Sequence, residues 1–169
     1  MLLYIKDRPV QERLAGLLNR VETVVKATVE RLADSAQEGG YFCLLEETVS
    51  DLEEPVCAFV LICNIRIGSP ANHKSVKYSK LAYEKAVRLA AYPDHLSSFQ
   101  SRNAYLDRYG GAIRTMRHIF SFSGLPELED ESAMLTVAQE EDLFVFGRDI
   151  EIARLSGNRA YLEKFGATL

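Results

Sequence analysis

Between Gly110 and Ala138 the chain reads GGAIRTMRHIFSFSGLPELEDESAMLTVA. This order predicts two short strands, a turn and a helix. Gly110-Gly111 leads into the first strand. Ile113, Ile119, Phe120 and Phe122 supply apolar side chains, and Arg117-His118 is a polar break between the two runs. Ser123-Gly124-Leu125-Pro126 turns the chain. Pro126 suits the first turn of a helix, where the N–H it lacks would have no partner anyway. Glu127, Glu129, Asp130 and Glu131 then lie near the positive end of the helix dipole.

The rest of the chain alternates in the same way. Asp7-Arg8-Pro9 marks a helix start, after which Leu14, Leu17, Leu18, Val21, Val24, Val25, Val29 and Leu32 recur at helical spacing on one stripe. Gly39-Gly40 is expected to end that helix. Tyr41–Val49 reads as a strand and Asp51–Pro55 as an acidic turn. Val56–Ile67 (VCAFVLICNIRI) is nearly continuous apolar sequence, expected of a strand buried on both faces. Gly68–Val76 has no regular period and reads as a loop. A second helix carries Leu81, Ala82, Lys85, Ala86, Leu89 and Ala90 and is stopped by Pro93. Leu96–Arg108 is a short helix or an irregular crossing, and Asp149–Phe165 a final helix. Hairpins separated by helices predict an α+β fold, a central antiparallel sheet flanked by helices.

At 169 residues the chain is expected to form one domain over 1–169, with a C-terminal helical extension from about 143. The net charge of −4, with no block of Lys or Arg, argues against a nucleic-acid partner. The N-terminus MLLYIKDRPV lacks the pattern of a secretory signal, and Val56–Cys63 is too short to span a bilayer. Cys43, Cys57 and Cys63 are odd in number and sit in strand-like runs without CxxC spacing, as expected of buried thiols in a reducing compartment. These features predict a cytoplasmic protein with no membrane partner. No dinucleotide fingerprint, P-loop, nucleophile elbow or HExxH pair occurs.

Two blocks resemble the GlcG/HbpS family, which includes the C-terminal domain of PduO-type proteins. The first is Ser79-x-x-Ala82-x-x-Lys85-Ala86, followed by Ala90 and Pro93. The second is Gly110-Gly111, then Ser121-Phe122-Ser123-Gly124, then Asp130-Glu131 and Ala133. The chain departs from the family pattern at Ser121 and Ile113, where a glycine and a proline are usual, and at the acidic turn before Val56. The resemblance implies a profilin-like α/β/α sandwich that assembles into homo-oligomers, some relatives binding haem or a corrinoid. It carries over no catalytic residue.

Candidate ligand-binding residues are His73, Tyr78, Gly110, Gly111, Arg114, His118 and Ser123. An imidazole at His73 has the chemistry of an axial haem ligand, and equally that of a solvated loop histidine. Arg114, Arg117 and His118 have the charge to hold an anion such as a propionate, or to form a hairpin-tip cluster. The resulting expectation is a non-catalytic protein that binds a small ligand, a tetrapyrrole in particular, in a pocket near His73 and the Gly110–Gly124 strands. Two alternatives remain open. One is an assembly subunit without a ligand, with the first and last helices as contact surfaces. The other is a small-metabolite enzyme using Arg114 as an anion clamp and Asp130 or Glu131 as a base.

Overall fold

The computed structural model describes residues 8–32, 38–49 and 57–169. Along the chain run α1 (Arg8–Arg31), β1 (Gly39–Val49), β2 (Cys57–Gly68), α2 (Asn72–Ala90), β3 (Ala112–Arg114), β4 (His118–Ser123), α3 (Glu127–Glu140), α4 (Arg148–Ser156) and α5 (Arg159–Lys164). Two 3-10 turns, Ser98–Ser101 and Ala104–Leu106, lie in the crossing from α2 to β3. The acidic turn expected at Asp51–Pro55 lies outside the described residues.

The four strands form one antiparallel sheet in the order β2-β1-β4-β3. β1 pairs with β2 from Gly39↔Gly68 to Val49↔Cys57, and with β4 from Tyr41↔Ser123 to Glu46↔His118. Strand alternation divides the side chains between two faces. Phe42, Leu44, Phe120 and Phe122 join a core with Val21 and Val25 of α1, Met134 and Leu135 of α3, Ile152 of α4, and Tyr161 and Leu162 of α5. Cys43, Leu45 and Ile119 face the other way and pack against Ala82, Ala86 and Leu89 of α2. The fold is therefore α+β, with helices on both faces of an antiparallel sheet. Among the described residues, no helix is long and apolar enough to cross a membrane.

Local chemistry corrects four expectations. α1 ends at Arg31, and Gly39-Gly40 opens β1 instead of terminating the helix. α2 begins at Asn72, so His73 is helical and not in a loop. Its N-cap is Ala71, which offers no side-chain acceptor, so the sequence carries no capping signal there. The expected final helix is two helices. Gly157 adopts φ +71° and Asn158 accepts the Tyr161 N–H, which ends α4 and starts α5. These helices bury Ile152, Ala153, Tyr161 and Leu162 in the main core, so they are not an appendage. Finally, β2 is not buried on both faces: it lies at an edge of the sheet, and of residues 58–68 only Ile67 is buried.

Candidate functional site

The residues selected from the sequence fall into three separate places. Gly111 lies against a buried ion pair; Gly110 precedes it, and Ser123 follows Phe122, whose carbonyl the pair's lysine meets. Lys85 Nζ donates to Asp130 Oδ2 at 2.8 Å and to the Phe122 carbonyl at 2.9 Å. Asp130 Oδ1 accepts the Leu125 N–H at 2.9 Å. Burial pushes the Asp130 carboxyl up to about 6, against the opposing pull of Lys85 and the Leu125 N–H. Gly111 has φ +110°, and a Cβ there would sit 2.7 Å from Asp130 Cβ and 3.0 Å from Lys85 Nζ. A Cβ on Gly110 would overlap the Phe99 ring. Gly111 thus lets the backbone close over the pair, which fastens α2, β4 and α3 together.

Glu131, next along α3, is also buried. Ser97 Oγ donates to its Oε2 at 2.6 Å, while Ser156 Oγ and Asn158 Nδ2 donate to Oε1. Burial raises its pKa, and these three donors oppose the rise.

α2 holds the second group. His73 is exposed on its first turn, and Tyr78 is half-buried farther along. Arg114 lies at the opposite end of this 19-residue helix, which is about 28 Å long. Its Nη2 donates to the Leu89 carbonyl at 2.6 Å and the Tyr92 carbonyl at 3.2 Å, and its Nε donates to the His95 carbonyl at 2.9 Å. These bonds cap the C-terminal end of α2, so Arg114 is committed to carbonyl oxygens and not to an anion. Arg88, on α2 itself, ties the helix to the crossing that follows, donating to the Ser98 carbonyl at 2.9 Å and the Tyr109 carbonyl at 2.5 Å.

His118 occupies the third place, on the opposite face of the sheet from α2. It lines a groove of about 440 Å³ between α1 and the sheet. Leu14 and Leu17 of α1 form one apolar wall, and Leu44, Ile62 and Phe120 form the floor. Arg13, Arg20, Glu46 and Glu141 complete the lining with charge. Thr115 Oγ1 accepts the His118 N–H at 3.0 Å, and the Thr115 N–H donates back to the His118 carbonyl at 2.8 Å. This tight β3–β4 turn fixes the start of β4. The ring lies 6.0 Å from that of Phe120, and Nε2 is 3.9 Å from Glu46 Oε1. Burial lowers the His118 pKa; Glu46 acts against the fall, while Arg117 and Arg13 add to it. The neutral imidazole is thereby favoured, with a nitrogen lone pair to offer.

His73 and His118 therefore do not share a site, and the Gly110–Gly111 segment belongs to neither. Glu46, Leu14 and Leu17 were not singled out from the sequence as site residues. The only signal was that the α1 stripe continues past what the core uses: Val21 and Val25 are fully buried, while Leu14 and Leu17 are only partly covered. Comparison with models of known protein families, with curated proteins and with solved structures found no match.

Proposed function

We propose that this is a non-catalytic protein of the GlcG/HbpS type that binds a small ligand and acts as a homo-oligomer. Its ligand is a flat, largely apolar molecule with ionised edges, a tetrapyrrole such as haem or a corrinoid. The groove beside His118 carries this reading. Its volume falls in the range of about 300–1,000 Å³ usual for small-molecule sites. Apolar side chains supply enclosure, and a few polar groups in the lining supply orientation. The donor set fits a metallated tetrapyrrole. His118 offers a neutral imidazole, and Arg13 offers a cation for a carboxylate edge. Bound haem would supply a coloured, redox-active iron.

The family resemblance gains support from a convergence. Lys85, Gly111 and Asp130 come from the matching blocks, and they meet around one buried pair. The enzyme reading loses its named residues, because protein partners occupy Arg114, Asp130 and Glu131. The assembly-subunit reading keeps one observation in its favour, the long outer edge of β2.

Replacing His118 by Ala tests the assignment. Haemin affinity, followed by absorbance, is expected to fall at least about tenfold, or about 1.4 kcal/mol. An unchanged affinity and spectrum would remove His118 from the site.

A further inference from the structure

β2 is an edge strand with the sequence of a central one. Edge strands are normally guarded by Lys, Pro, β-bulges, inward charges or short length. β2 runs for twelve residues, CAFVLICNIRIG, and its one charge is Arg66. A register shift opposite Leu44/Leu45, near Ile62, is the one such guard it carries, and ladder-forming strand continues on both sides of it. The other edge of the sheet is protected. β3 has three residues, and beyond it the Arg114 N–H donates to the Leu96 carbonyl while Ser97 bridges to Ile113. Among the described residues, no strand pairs with the outer side of β2. Val60 and Leu61 point to opposite faces of it and are 42% and 40% exposed.

A second surface lies alongside. Asn64 Nδ2 of β2 donates to the Ser79 carbonyl and to Ser79 Oγ, so the Ser79 side of α2 overhangs β2. At about 100° per residue, Val76, Tyr83 and Val87 fall within an arc of about 40° next to Ser79, on the side away from buried Ala82 and Ala86. Val76 is 66% exposed and Tyr83 44%. This stripe, bordered by the exposed Lys80, adjoins the strand edge through the Asn64–Ser79 contact.

We infer that β2 pairs antiparallel with β2 of a second copy across a two-fold axis, with the two α2 stripes packed over the seam. A row of backbone N–H and C=O groups is complementary to another strand, and a two-fold contact makes the surface its own complement. Antiparallel pairing about the apolar middle sends the two Arg66 side chains to opposite ends of the seam. Parallel pairing in register would set them side by side. The pairing gives the outer backbone groups of β2 a partner, and the α2 stripes cover the Leu61 side of the seam. It also moves the assembly surface from the first and last helices to β2 and α2. The inference rests on the oligomer half of the proposed function and is independent of the ligand.

The mass of the full chain in solution, measured without haemin, tests it. At about 100 µM, sedimentation is expected to give an assembly built on pairs of 19.0 kDa chains. Leu61→Lys and Tyr83→Lys place charge at positions that already reach solvent, so far-UV circular dichroism is expected to be unchanged. Each is expected to weaken pairing at least about tenfold. Wild type at single-chain mass overturns the inference, and so does an assembly that both variants leave intact. Should either variant misfold, amide exchange of wild type reads the same claim. The β2 amides are expected to slow as concentration rises, and rates independent of concentration would overturn the pairing. Haemin binding by a single-chain protein would refute the pairing and leave the ligand reading standing.

Discussion

Asp130 and Glu131 are neighbours on α3, yet their side chains go to different partners. Asp130 meets a buried cation, and Glu131 meets three neutral donors. Removing one member of a buried pair strands the other. Asp130→Ala is therefore expected to cost about 3–5 kcal/mol in urea unfolding. The double variant Lys85→Met/Asp130→Leu is expected to lose less than the sum of the two single changes, and strict additivity would contradict the coupling. Glu131 makes a pH prediction. Its folded pKa lies above its unfolded value of 4.5. Between the two values the folded state holds a proton that the unfolded state has released. The stability from this group is thus present on the acid side and lost as pH rises through the window. Measured against Glu131→Gln, wild type is expected to gain stability as pH falls toward 4.5. A flat or opposite difference would contradict the burial argument. At this scale the sequence marked acids at a helix start, but a single chain read alone does not pair Lys85 with Asp130, 45 residues apart.

The elements were legible where punctuation is local. β3, β4 and α3 follow from glycines, a proline and a run of acids, and the structure places them at Ala112–Arg114, His118–Ser123 and Glu127–Glu140. The start of α2 escaped because Ala71 gives no cap. The break between α4 and α5 escaped because it rests on a left-handed Gly157 in an otherwise helical pattern. The far end of α2 depends on tertiary contacts. Arg114 comes from β3, caps the carbonyls of Leu89, Tyr92 and His95, and lies 5.1 Å over the Phe59 ring. Arg114→Met keeps the stem but removes the donors. It is expected to cost about 1–3 kcal/mol and to speed amide exchange at the end of α2. Unchanged exchange there would mean that the cap does not hold the helix end.

The whole molecule is a sheet with two differently used faces. α2 closes one face with small side chains. On the other, α1 covers its half of the core but leaves a groove at the His118 end. Sequence periodicity gives the stripe on α1 but not the point where packing stops, so the groove was not legible. His73 and the Gly110 strands flank α2 in sequence, but the fold sets them at different ends of that helix, with His118 across the sheet. The central claim is that the groove, and not the α2 side, holds the ligand. It is tested most directly by titrating haemin into wild type, Leu17→Trp and His73→Ala and following the Soret band. Leu17→Trp fills the groove from α1. Wild type and His73→Ala are expected to saturate sharply at a fixed stoichiometry, and Leu17→Trp is expected to lose that saturation while keeping its fold. Saturation retained in Leu17→Trp, or lost in His73→Ala, would contradict the assignment.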